Sequence, residues 1–136
     1  MKYFTVEELC RSATAAAQRI DNRPPNEAAG RLQILIEELL DPIRAAWGAP
    51  VTINSGYRSP ELNAAVGGVA TSQHMRGEAA DLSVGAPAAN ERFFRRIEEL
   101  QRAGTIEFDQ LIDEARYRWV HISYRRGANR RQVLHL

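Results

Sequence analysis

A single cysteine, Cys10, rules out any disulfide within the 136-residue chain and any metal site built from several thiolates. Placed in a first helix, that thiol is expected to be buried and inert. No apolar run approaches the ~18–20 residues that a bilayer-spanning helix requires, so no membrane partner is expected. The opening segment MKYFTVEEL has one lysine and no long apolar block, and does not read as a secretory leader. Cytoplasmic synthesis is therefore expected, with release or export needed for any target outside the cell. An excess of one charge sign is also missing. Eighteen basic and 17 acidic residues leave a formal net charge of +1, a balance that argues neither for nor against nucleic acid, and no nucleic-acid partner is expected. Internal repeats and low-complexity linkers are absent as well.

What is present fits one domain over residues 1–136, with enough apolar residues to bury its own core and a monomer as the default state. Basic residues are unevenly spread: Arg116, Arg118, Arg125, Arg126, Arg130 and Arg131 crowd the C-terminal end. They read either as a solvated basic tail or as a surface attracted to an anionic polymer such as a cell wall or nucleic acid.

Thr5 with Glu8 makes a capping box that opens a first helix over Val6 to Arg19. Turn residues from Asp21 to Asn26 form a loop. A second helix runs from Glu27 to Trp47, with Leu32, Leu35, Ile36, Leu39, Leu40 and Ile43 in one apolar stripe. Pro42 lies inside it and should kink or split it near Asp41, because proline lacks an N–H and crowds the preceding turn. Val51–Asn54 reads as a strand. Ser59-Pro60 opens a short helix to about Val66, which Gly67-Gly68 stops. Further strands are expected at Ala79–Val84, Phe108–Glu114 and Trp119–Tyr124, with a helix over Pro87–Ala103 and a final edge strand at Gln132–Leu136. Long helices segregated from short strands predict an α+β fold: a small, mostly antiparallel sheet packed against N-terminal and central helices.

Three residues stand out. His74 and Asp81 are seven apart, the wrong spacing for one helix face, but right for a loop that enters a strand at Asp81. Asp81 interrupts the apolar run A-A-D-L-S-V, and a lone buried carboxylate needs a partner. In W-V-H-I-S, His121 alternates with Val120 and Ile122, so if those two face the core, His121 faces a groove. Taken singly, a strand histidine is ordinarily structural, a loop histidine exposed, and such an aspartate a cap or an arginine's partner. Together they make two imidazoles and one carboxylate, a ligand set that suits a catalytic zinc with a fourth position open. His135 is left out of this set.

The strings S-G-Y-R-S-P (Ser55–Pro60), Ser72-x-His74-x-x-Gly77-x-Ala79-x-Asp81-Leu82 and Trp119-Val120-His121-x-Ser123 resemble the zinc peptidases that cut peptidoglycan stem peptides. That family includes D-alanyl-D-alanine carboxypeptidases and the L-alanyl-D-glutamate endopeptidases of phage lysins, and its fold is shared by hedgehog signalling domains. Tyr3-Phe4-Thr5, Asp41-Pro42 and Phe108–Ile112 look like its small single-domain branch. The resemblance implies Zn2+ held by His74, Asp81 and His121, Arg58 on a substrate carboxylate or carbonyl oxygen, and stem peptides as partner; the small size, with no leader or wall-binding segment read in it, suits a phage or prophage origin, with a bacterial one left open. Tyr57, Ser72, Gln73 and Trp119 are expected to line the groove. Ser72 and Gln73 could also orient a ligand histidine. The general base is the open point. Some branches carry an acid three positions before the second histidine, where this chain has Arg118. The remaining acids are Glu114 and Asp113. If Leu111 is a core residue, strand parity turns Glu114 to the groove, with Asp113 the alternative. The missing acid also keeps open a non-catalytic zinc-binding module of the same fold, and the arginine-rich end a wall- or tail-associated phage protein anchored by it.

Overall fold

Helix initiation at the N-terminus follows the hydroxyl caps. The computed structural model, which describes residues 1–136, has Thr5 accepting the Glu8 N–H at the start of α1 (Val6–Leu9) and Ser12 accepting the Ala15 N–H at the start of α2 (Ala13–Gln18). The single helix predicted over Val6 to Arg19 is thus two. The break has a tertiary cause: the Leu9 carbonyl accepts the Tyr57 N–H at 2.8 Å, and Gly56 lies so close that a Cβ there would sit 2.2 Å from that oxygen. Cys10 caps α1 rather than lying within a helix, and it is half-buried rather than buried, with burial raising its thiol above the ordinary value.

The second predicted helix is continuous in direction but changes pitch. It comprises α3 (Asn26–Leu35), a π-helical turn (Ile36–Leu40) and α4 (Asp41–Trp47). The Asp41 N–H reaches back five residues to the Ile36 carbonyl. This wider turn makes room for Pro42, which has no N–H to give. Every residue of the predicted apolar stripe is buried.

Strands β1 (Thr52–Ser55), β2 (Ala79–Ser83), β3 (Gln110–Glu114), β4 (Trp119–Ser123) and β5 (Gln132–His135) form one sheet in the order β1-β2-β4-β3-β5. All pairs are antiparallel except the edge strand β5, which runs parallel to β3. Between β1 and β2 lie α5 (Pro60–Ala65), capped by Ser59, and a 3-10 turn (Gln73–Arg76). Between β2 and β3 lies α6 (Pro87–Arg102). The fold is α+β. Ala80, Leu82, Leu111, Val120 and Ile122 turn one face of the sheet to a core shared with α3, α4 and Phe93, Phe94, Ile97 and Leu100 of α6. No helix is long and apolar enough to cross a membrane.

The arginine-rich end is not a free tail. Arg126 bonds Glu38, Arg130 bonds Asp109 and Arg131 bonds Glu107, while Arg116 and Arg118 are exposed in the β3–β4 turn.

Candidate metal and peptide site

The second face of the sheet carries the polar cluster. Antiparallel register sets Asp81 of β2 opposite His121 of β4, and His121 opposite Ile112 of β3. Directly paired residues share a face, so Asp81, His121 and Glu114, which is opposite Trp119, lie away from the core residues Leu111 and Val120. His74 comes from outside the sheet, on the 3-10 turn rather than in an irregular loop. That turn can approach α3 because Gly77, at φ 77, has no Cβ; one would lie 2.4 Å from the Ala28 carbonyl.

His121 Nδ1 lies 2.9 Å from Asp81 Oδ1, and His74 Nε2 lies 3.3 Å from Asp81 Oδ2. One ligand atom from each of the three residues falls within 4.8 Å of the others. His74 Nδ1 is 2.7 Å from the Gly56 carbonyl. A carbonyl only accepts, so Nδ1 carries a proton, and in the neutral form of the ring the Nε2 lone pair points at a carboxylate oxygen. Two electron pairs facing each other call for a cation between them. Ligands about 2.1 Å from a tetrahedral zinc stand about 3.4 Å apart, close to the 3.3 Å between His74 Nε2 and Asp81 Oδ2. The residues therefore fit a divalent cation.

Arg58 closes one side. Its Nε donates to Ser55 Oγ at 3.2 Å and Nη1 to Asn63 Oδ1 at 3.1 Å, leaving Nη2 3.5 Å from Asp81 Oδ2. A bulge between Ile53 and Ser55 brings Ser55 opposite Asp81, which aims this hydroxyl at the guanidinium. Gly68 gives the pair room, since a Cβ would lie 2.1 Å from Asn63 Oδ1.

A cleft of about 370 Å³ contains His74, Asp81, His121, Arg58, Glu114, Trp119 and Ser72, with Val66–Val69 along its rim. Asp113 is on the other face: His135 Nδ1 lies 2.6 Å from its Oδ2, and the Tyr117 N–H donates to its Oδ1. Tyr57 does not line this cleft; it is buried among core residues and borders a separate hollow with Ser55 and Leu62. Its burial follows from its N–H being fixed to Leu9 and its carbonyl to the Asn22 amide. Ser72 Oγ accepts the His74 N–H, whereas the Gln73 side chain donates to Asp109 and hydrogen-bonds neither ligand histidine. The His74 ring is instead oriented by the Gly56 carbonyl.

Over residues 2–123 the chain matches the family model described as peptidase M15. This chain belongs to the peptidase M15 family. It is also 48% identical over 48 residues to the zinc D-Ala-D-Ala carboxypeptidase of Streptomyces albus G. That stretch is 35% of this chain and 19% of the relative, so the match spans about a fifth of that protein's length.

Asn63, Asn90 and Asn22 are the supporting residues of this M15 site that sequence reasoning misses. Asn90 of α6 is wholly buried; its amide donates to the Tyr117 and Arg118 carbonyls and its oxygen accepts the Val84 N–H. It thereby holds a turn in which Ala115, Arg116 and Tyr117 all have φ between 49 and 65, a costly run for non-glycine residues, just after Glu114. Asn22 clamps the Cys10 and Tyr57 carbonyls and the Ser59 N–H. Nothing in their spacing separates these asparagines from ordinary turn residues.

Proposed function

We propose that the protein is a zinc metallopeptidase that hydrolyses peptide bonds in peptidoglycan stem peptides, of the D-Ala-D-Ala carboxypeptidase or L-Ala-D-Glu endopeptidase type. The observation that carries this reading is the His74 Nε2 lone pair aimed at Asp81 Oδ2, with His121 on the other oxygen of the same carboxylate. His74, Asp81 and His121 would hold zinc. When bound, zinc supplies Lewis acidity, polarising a carbonyl and making a nearby water acidic around neutral pH.

The chain's own groups do the rest. Glu114, on the wall of the cleft, takes the proton from the attacking water and returns it to the departing amine. Arg58, anchored by Ser55 and Asn63, offers Nη2, the nitrogen nearest Asp81, to a substrate carboxylate, or to the carbonyl oxygen as charge develops. Trp119 and Ser72 contact the peptide along the cleft, and Gln73 beyond it. Glu114 in the cleft favours an enzyme over a non-catalytic zinc module, since it supplies the acid absent at Arg118.

Zinc-loaded protein incubated with defined stem peptides, with and without chelator, tests the reading by mass spectrometry. New termini that vanish with chelator are expected, and they name the bond cut. Full zinc occupancy without cleavage of any stem peptide would overturn the enzyme in favour of the module.

A further inference from the structure

A second cleft of about 370 Å³ adjoins the first, sharing Val69, Ser72 and His121 with it, and is lined further by Gln73, Gln110, Arg76, Arg125 and Arg130. Arg58 reaches Oδ2 of Asp81, whereas this cleft begins at His121, which faces Oδ1. Cationic groups thus flank the three ligand residues on both sides.

The three arginines are not equally engaged. Arg130 is locked to the buried Asp109 by two side-chain hydrogen bonds of 2.9 and 3.0 Å. Arg76 and Arg125 make no side-chain hydrogen bond; their nearest carboxylate is Glu78, at 4.0 and 3.8 Å. Glu78 and Asp109 balance two of the three charges, leaving one positive charge in surplus. Two guanidinium forks with idle donors, in a cleft continuous with the cation site, are suited to a carboxylate, which they can bind bidentately.

We propose that Arg76 and Arg125 form a second anion-recognition subsite, which takes a free carboxylate of the peptide substrate on the His121 side of the site, opposite Arg58. This deepens the stem-peptide reading and rests on it. Stem peptides carry carboxylates within the chain as well as at the terminus, so the two cationic ends would set the register in which the peptide crosses Glu114.

The test compares stem peptides that differ only in having one carboxylate free or converted to the carboxamide, each position in turn, by kcat/KM with zinc-loaded protein. At one position the free acid should be preferred by about 10- to 100-fold, the scale of a charge-assisted hydrogen bond. In the double variant Arg76→Gln/Arg125→Gln that preference should fall to about one. Arg95→Gln, a surface charge on α6 paired with Glu91, should leave it in place. The subsite is overturned if no acid-over-amide preference responds to the double variant, or if Arg95→Gln erodes it equally. Failure of the unaltered protein to cut any of the peptides overturns the peptidase reading itself, and the subsite with it.

Discussion

Asp81 faces His121 across β2 and β4, and Asp113 faces His135 across β3 and β5. Both pairs bring an imidazole Nδ1 to a largely buried carboxylate, at 2.9 and 2.6 Å. Their surroundings separate them. Both Asp113 oxygens have protein partners: His135 on one and the Tyr117 N–H on the other, with Phe94 stacked near His135 and Tyr117. This pair fastens the edge strand and the β3–β4 turn. Asp81 has a second imidazole on its other oxygen, whose Nδ1 proton is committed to Gly56, turning Nε2 to the carboxylate. A histidine–aspartate contact is therefore no site by itself. A third donor with its lone pair turned inward, in a cleft, makes one.

The largest effect expected from breaking the comparison is all-or-none. His121→Ala should remove both zinc and peptide cleavage, while His135→Ala should keep both. Equal zinc content in the two variants would dissolve the distinction. Next in size is the acid pair. Glu114→Gln should retain zinc and lose about 2–4 orders of magnitude in rate. Asp113→Asn should keep the rate per folded molecule and lose about 1–3 kcal/mol of stability in urea unfolding, as a buried hydrogen-bond partner is weakened. If Asp113→Asn is instead the slow enzyme, the faces have been assigned the wrong way round.

Asn90→Ala sharpens the same point from behind the sheet. Backbone groups of Val84, Gly85, Tyr117 and Arg118 lose the amide that holds them, and a destabilisation of about 2–4 kcal/mol is expected, with the positive-φ turn loosened. Hydrogen exchange at Tyr117 and Arg118 reads it, and unchanged exchange there would contradict the clamp.

Much of this was legible beforehand. The stripe from Leu32 to Ile43 and the alternation of W-V-H-I-S needed only periodicity, and Leu111 as a core residue turns Glu114 to the cleft by parity. The convergence of His74 with the strand pair lay in no local pattern; the family resemblance supplied it. What sequence missed was set by tertiary contacts. Ser12 could sit inside a helix as readily as cap one, and the choice is made by Tyr57 taking the Leu9 carbonyl. That same bond buries Tyr57, which the run S-G-Y-R-S-P would place beside Arg58 in the groove. The parallel pairing of β5 depends on Asp113 and Asp109, residues distant in the chain.

A smaller effect concerns pH. Burial raises the Asp109 carboxyl, but Arg130 and Gln73 bond it and hold it below the ordinary carboxylate value. A lowered folded value means this stability is present above the unfolded pKa of about 3.9 and lost as pH falls through the folded one. Protection of the Arg131 and Gln132 amides, which bond the Phe108 and Asp109 carbonyls, should therefore drop in acid below about pH 4. Protection that persists unchanged to strongly acidic pH would remove Asp109 as the anchor.

The most direct measurement is zinc titration of chelator-stripped protein at neutral pH, for the unaltered chain, Asp81→Asn and Asp113→Asn. One equivalent should bind tightly to the unaltered chain and to Asp113→Asn, and Asp81→Asn should bind far more weakly. An unaltered chain that takes up no zinc, or an Asp81→Asn variant that binds it as well, would contradict the account.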